Sequence, residues 1–332
     1  MVKLDNPIIS IDSTAKILEL MKSKVVCKIK ISINNRFYTG TGFFCDIPIG
    51  SEKFPVIITH YHVITDEFLK DNKSITIELS NKHKEININD NRLIYTNEMY
   101  NITIIEINSK KDKITQFLDL DENIFNENFY NKIKALYTIQ YIEGEKISVS
   151  YGYLRKKAYG YNESFFYSCS TELGSSGSPI LNLSNNKVIE WHKEGNKDKT
   201  LNIGGCLSLS IQDFIYSIKN YKEKDFSNLN LISSGSYGDV YSAYSIKDKK
   251  EVCLKKINKE KMKLNYQQNE LNDYLNDLNN EIRILKLLSH NENSLKYYGT
   301  YEEGNNQIIV MEKCDMNLKD YIKQREASLK IE

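Results

Sequence analysis

The chain has 332 residues, of which 40% are hydrophobic and 27% charged. That is enough for about two packed domains and too apolar for a disordered chain. Its 45 basic against 44 acidic residues leave a net charge of +1, so no surplus of positive charge is available to draw nucleic acid or an anionic membrane.

No run approaches the roughly 20 apolar residues of a membrane-spanning helix. The opening Met1-Val2-Lys3-Leu4-Asp5 lacks the apolar core of a signal peptide. Six cysteines, Cys27, Cys45, Cys169, Cys206, Cys253 and Cys314, form no CxxC pair and no metal-ligand spacing. They are expected to be reduced thiols, mostly in the core. The expected setting is cytoplasmic, with no metal site and with neither membrane nor nucleic acid as a partner.

From Lys24 to about Ser210 the pattern is one of short strands. Val25 to Ile33 alternates, then come Phe37 to Asp46, Val56 to Thr59, Ser74 to Leu79 and Ile102 to Ile107. The later set is Ala135 to Tyr141, Lys146 to Leu154, Phe165 to Ser168, Ile180 to Leu183, Lys187 to Trp191 and Ile203 to Leu209. Turn residues such as Asn34-Asn35 and Asn185-Asn186 separate them. Many short strands at even spacing point to an antiparallel sandwich or barrel.

The period changes near residue 211. Ile211 to Ile218 reads as helix and Tyr221 to Asp225 as a charged connector. Strands are expected around Asn228 to Ser233, Asp239 to Ser245 and Lys250 to Ile257. A long helix follows over Lys261 to Leu288, then two strands near Leu295 to Tyr301 and Gln307 to Glu312. The expected domains are 1–222 and 226–332.

Gly174-Ser175-Ser176-Gly177-Ser178-Pro179 carries the sharpest chemical signal. A serine hydroxyl attacks a carbonyl only when a base takes its proton and backbone donors hold the oxyanion. A glycine two residues earlier lets the chain turn so that its amide and the serine's point into one space. Upstream, Thr59-His60-Tyr61-His62-Val63-Ile64 places a histidine at a strand end, and Gly40-Thr41-Gly42-Phe43-Phe44 precedes it.

These elements, with Ile102-Thr103-Ile104-Ile105-Glu106-Ile107 between them, resemble the trypsin-like (chymotrypsin-fold) serine peptidases of the disulfide-free type. The resemblance implies an all-β antiparallel double β-barrel over roughly residues 20–215. It implies Ser176 as nucleophile, His62 as general base, and the amides of Gly174 and Ser176 as oxyanion hole. The reaction would be peptide-bond hydrolysis in a peptide or protein substrate, with no cofactor. His60 is expected to face away from His62 on an extended strand, and His83 to lie solvated in a polar loop.

The position of the third catalytic residue, an aspartate in that family, is Asn101. An asparagine orients an imidazole but does not stabilise the imidazolium, and the exchange costs about 10⁴ in kcat in trypsin. Two readings stay open: a degenerate barrel that binds peptides or partners, or an active enzyme with another carboxylate. Glu190 in Val188-Ile189-Glu190-Trp191-His192 is the candidate, set against a plain exposed edge-strand glutamate. Ser170, six residues before Ser176, is the expected floor of the substrate pocket. Trp191 and His192 are expected to edge that pocket and pair with an extended peptide.

Downstream, Ser233-Ser234-Gly235-Ser236-Tyr237-Gly238-Asp239-Val240 joins two strands, Lys255 sits inside an apolar strand, and Glu281 lies on a helix. This series resembles the small lobe of a eukaryotic-type protein kinase, an α+β module, over about 226–325. The resemblance implies ATP as ligand, with Gly235, Gly238 and Val240 over the nucleotide and Lys255 on the α/β-phosphates, paired with Glu281. Met311 would be the gatekeeper, and Glu312 to Cys314 the hinge. No His-Arg-Asp or Asp-Phe-Gly element occurs in the 332 residues, so phosphoryl transfer is not expected. A partner covering the exposed apolar face of this lobe is expected. A third reading joins the barrel, as a sensor, to a truncated kinase.

Overall fold

The computed structural model describes residues 7–322 apart from 34–35, 50–51, 80–81, 89–91, 127–128, 134, 143–145, 159–163, 196–200, 236–237, 260–277, 279, 283, 287, 290–292 and 317–320. The Asn34-Asn35 turn, Ser236 and Tyr237 of the glycine-rich hairpin, and most of the expected helix from Lys261 lie outside the described residues. The chain divides into two compact units, 1–215 and 216–332.

The first unit opens with α1 (Ile11–Lys22), which is capped by Ser10 through the Ser13 amide and buries Ile17. Its first sheet contains β1 (Val26–Ile33), β2 (Arg36–Ile49), β3 (Glu52–His60), β4 (Ser74–Leu79), β5 (Lys82–Asn87), β6 (Ile94–Asn97) and β7 (Ile102–Glu106). Two short helices, α2 (Asp66–Asp71) and α3 (Ser109–Asp112), interrupt the strands, and β8 (Leu118–Asp119) adds a parallel pairing to β2. The strand order is β5-β4-β1-β2-β3-β7-β6. Alternate residues point inward, so Ile29, Phe44, Ile57, Ile75, Ile77 and Ile105 meet in one core with Val63 and Ile64.

The second half of this unit is a closed barrel of β9 (Ala135–Ile142), β10 (Lys146–Ala158), β11 (Ser164–Tyr167), β12 (Pro179–Asn182), β13 (Val188–Gly195) and β14 (Asn202–Gly204). Closure leaves no strand edge here. Helix α4 (Leu207–Lys219) follows. It starts four residues earlier than the apolar pattern suggests, because the expected strand at Ile203 to Leu209 ends at Gly204. His83 lies in β5 opposite Glu78 and not in a loop, although it is exposed as expected.

The second unit is a five-stranded antiparallel sheet. Its strands are β15 (Phe226–Ser234), β16 (Asp239–Ser245), β17 (Lys250–Asn258), β18 (Tyr297–Glu303) and β19 (Asn306–Glu312), in the order β15-β16-β17-β19-β18. Helical residues within 278–288 pack Leu278 and Ile282 against Ile257, Tyr297, Ile309 and Met311. The opposite face buries Val252, Leu254, Ile308 and Val310 with Tyr221 and Phe226.

Candidate active site and nucleotide site

The loop before β12 is built around two glycines in left-handed conformations, Gly174 at φ 95° and Gly177 at φ 89°. A Cβ on Gly177 would lie 2.2 Å from the Thr41 carbonyl oxygen, so the residue must be glycine on both counts. The amides of Ser175, Gly177 and Ser178 donate to Glu172, His192 and Ser175 carbonyls. Among the described residues the amides of Gly174 and Ser176 have no acceptor. The three serines also separate. Ser175 and Ser178 are fully buried, and their hydroxyls accept from the Glu172 amide and donate to the Ser175 carbonyl. Ser176 is half-buried, and its hydroxyl has no hydrogen-bond partner among the described residues.

Thr41 locks this loop to the first sheet. Its amide donates to the Ser176 carbonyl at 2.9 Å. Its hydroxyl donates to the Gly174 carbonyl at 2.7 Å and accepts from the Tyr141 amide at 3.2 Å. Thr59 donates to the Thr41 carbonyl at 2.9 Å. The Gly40-Thr41-Gly42 motif is therefore a fastener for the serine loop, a role that sequence reading left unassigned.

The histidine segment differs from expectation. β3 ends at His60, and the Val63 and Ile64 amides both donate back to the His60 carbonyl. The chain turns instead of extending, so the two rings are not on opposite faces. The His60 and His62 ring centroids are 3.8 Å apart, tilted by 48°, and the His62 amide donates to His60 Nδ1 at 3.2 Å. His62 is exposed while His60 is buried. Desolvation, partial at His62 despite that exposure, lowers the His62 pKa, with Glu194 acting against it. It pushes that of His60 down to about 3, with His62, His192 and Lys193 adding to the effect.

Asn101 is left-handed at φ 60°, a conformation asparagine tolerates better than most residues. It acts through its main chain, its carbonyl accepting from the Tyr61 amide at 3.0 Å. Its side chain makes no hydrogen bond to His62.

In the second unit Lys255 Nζ meets Glu281 Oε1 at 2.6 Å. Val240 pairs with Lys255 across β16 and β17. Gly235 and Gly238 exchange main-chain hydrogen bonds. Gly238 has φ 158°, and a Cβ there would lie 2.3 Å from the Lys256 carbonyl oxygen. Met311 is buried beside Cys253, its partner in β17, and Glu312 bonds Lys296 through both its amide and its carboxylate.

Residues 40–189 match the family of trypsin-like peptidase domains. Residues 226–331 match the protein kinase domain. Over 105 residues the chain is 33% identical to "Probable serine/threonine-protein kinase zyg-1" of Caenorhabditis briggsae, covering 31% of this chain and 13% of that protein. Over 96 residues it is 31% identical to "Serine/threonine-protein kinase TAO2" of Homo sapiens, covering 29% of this chain and 7% of that one.

Among solved structures, the inactive form of a serine-to-alanine mutant of Rv3671c from M. tuberculosis H37Rv is similar over 61% of this chain and 90% of its own. The identity is 14% and the TM-score 0.42. Tobacco etch virus protease with bound product is similar over 56% of this chain and 73% of its own, with 15% identity and a TM-score of 0.41.

Several expectations for the peptidase unit are corrected by its geometry. Glu190 is neither behind His62 nor exposed. It is 2% exposed, and its two oxygens accept from the Tyr130 hydroxyl at 2.5 Å and the Leu207 amide at 2.6 Å. The second bond holds the first residue of α4, where a carboxylate also meets the positive end of the helix. Trp191 is fully buried against Gly205. Buried His192 shares a 2.7 Å hydrogen bond between its Nδ1 and the Tyr167 hydroxyl. Neither is exposed at the edge of a pocket.

Nor is this stretch of β13 free for strand addition. It pairs with β12 and β14, and the His192 amide and carbonyl are both bonded to the serine loop. Ser170 is exposed, its carbonyl accepting from Gln140 at 2.9 Å. A cavity of about 630 Å³ lined by Ile8, Ser10, Asn126, Lys132 and Asn182 contains none of the catalytic candidates. Among the described residues no cluster of His, Cys, Asp or Glu could hold a metal ion, and no helix is long and apolar enough to cross a membrane.

Proposed function

We propose that the first unit is a serine endopeptidase that forms an acyl-enzyme on Ser176. The observation that carries this reading is the serine loop, in which neighbouring amides are bonded while those of Gly174 and Ser176 stay available to an oxyanion. In the first step Ser176 Oγ bonds to the substrate carbonyl carbon as His62 takes its proton. The carbonyl electron pair moves onto oxygen and is held by the two amides. His62 then returns the proton to the leaving amine as the peptide bond breaks, and water repeats the sequence to free the acid.

A serine-directed fluorophosphonate probe is expected to label Ser176 in the full chain. Labelling is expected to disappear in Ser176→Ala and His62→Ala. A wild-type chain that stays unlabelled while folded would overturn the reading.

A second reading, a peptide-binding module without turnover, is favoured by the absence of any carboxylate bonded to His62 among the described residues. It expects measurable peptide affinity with no labelling.

For the second unit we propose ATP binding, supported by the Lys255–Glu281 pair and the tight Gly238 turn. Lys255 would place a positive charge on the nucleotide phosphates. The chain spans 13% and 7% of the two kinases it matches, so the proposal is limited to binding. Calorimetric titration of the full chain with ATP is expected to show Lys255→Met weakening affinity at least about tenfold. Equal affinity in the two proteins would remove Lys255 from the site.

A further inference from the structure

The groups expected to support His62 are committed elsewhere. Asn101 contributes its main chain to the Tyr61 amide, and Glu190 is bound to Tyr130 and Leu207. What touches the His62 imidazole is a second imidazole. The ring of His60 lies 3.8 Å from it, and His60 Nδ1 accepts the His62 amide at 3.2 Å. The His60 carbonyl takes the next two amides, those of Val63 and Ile64. One residue, 3% exposed, thus holds the three that follow Tyr61.

We propose that His60 is a positioning residue for His62, its ring and Nδ1 holding the general base where other peptidases of this kind use a carboxylate. The proposal rests on the reading of His62 as base. An imidazole that accepts at Nδ1 carries its proton on Nε2 and is uncharged. Burial favours that state, as do the nearby His62, and His192 and Lys193 on β13. On His62 the negative charge of Glu194, also on β13, acts in the opposite direction to desolvation.

The neutral form matters for the chemistry. When His62 takes the Ser176 proton, a positive charge forms on its ring, and a second cation 3.8 Å away would oppose it. A buried neutral ring avoids that repulsion, limits the rotation of the base and keeps water from one of its faces. His60 neither gains nor loses a proton in the cycle.

Three substitutions in the full chain separate the two contacts. His60→Phe keeps a ring without the acceptor, His60→Asn keeps an acceptor without the ring, and His60→Ala removes both. Two readouts are followed against pH, the NMR titration of the His62 ring and the rate of fluorophosphonate labelling at Ser176. In His60→Ala the His62 midpoint is expected to rise toward the ordinary histidine value of about 6.5. The acid limb of the labelling rate should move with it, and the maximal rate should fall at least about tenfold. His60→Phe and His60→Asn are expected to fall between the two extremes, and they decide the matter if the alanine variant does not fold.

Folded variants whose His62 midpoint and labelling rate equal those of the wild type would overturn the proposal. A wild type that is never labelled, but whose His62 midpoint moves on His60 substitution, would support the positioning role and overturn the assignment of Ser176 as nucleophile.

Discussion

Acidification from pH 7 to pH 5 is expected to lower the unfolding free energy of the first unit by about 2–4 kcal/mol. The cause is a pair of buried histidines. Burial pushes the pKa of His60 down to about 3 and that of His192 down to about 4, so both stay neutral in the fold. In the unfolded chain each takes up a proton as the pH falls through about 6.5. The unfolded state then binds more protons than the native one, so stability rises with pH through this window. It is fully present above about pH 6.5 and is lost as the pH falls toward the folded values.

The chain's one tryptophan, Trp191, is fully buried in the first unit and reports its unfolding. Urea unfolding followed by Trp191 fluorescence at pH 5, 6 and 7 measures the slope. His192→Gln is expected to reduce the slope by roughly half. Midpoints independent of pH would show that these histidines are protonated in the folded state.

Replacing Gly177 by alanine is expected to cost about 3–5 kcal/mol and to abolish labelling of Ser176. Two penalties combine. The residue sits at φ 89°, where a side chain is strained, and a Cβ would lie 2.2 Å from the Thr41 carbonyl oxygen and 2.9 Å from Thr59 Oγ1. Those groups belong to Thr41 on β2 and Thr59 on β3, both buried, so relief requires moving the serine loop away from them. The Thr41 contacts to Gly174 and Ser176 would separate with it. Urea unfolding gives the first quantity and probe labelling the second. A variant with wild-type stability and labelling would show that the loop is not held against β2.

Much of the strand pattern was legible. Val26–Ile33, Ser74–Leu79 and Ala135–Ile142 are strands where alternation and β-branched content put them. Helix α1 was missed although its signal was present, a Ser10 cap before Ile11 with Ile17 on the buried face. Strand β5, with the sequence Lys-His-Lys-Glu-Ile-Asn, was missed because an edge strand facing water has few apolar residues to betray it. The helix that begins at Leu207 read as strand because Ile203 to Leu209 is apolar throughout, and a short apolar run does not declare its period.

The sequence by itself determined what single residues impose on the backbone. Glycine at 174 and 177 allows two left-handed turns around a serine, and that local geometry is written in residue type. Lysine in an apolar strand and glutamate on a helix pointed to the Lys255–Glu281 pair, which the sheet and helix then bring to 2.6 Å.

Only the tertiary structure decided what stands beside His62. That depended on β3 ending at His60 instead of running on by two residues, which brings two rings together that alternation would hold apart. It depended too on Tyr130 and the start of α4, which take Glu190 away from the base. Side-chain partners across sheets follow from strand ends and register, where a shift of one residue exchanges the faces. No single position in the sequence carries that information.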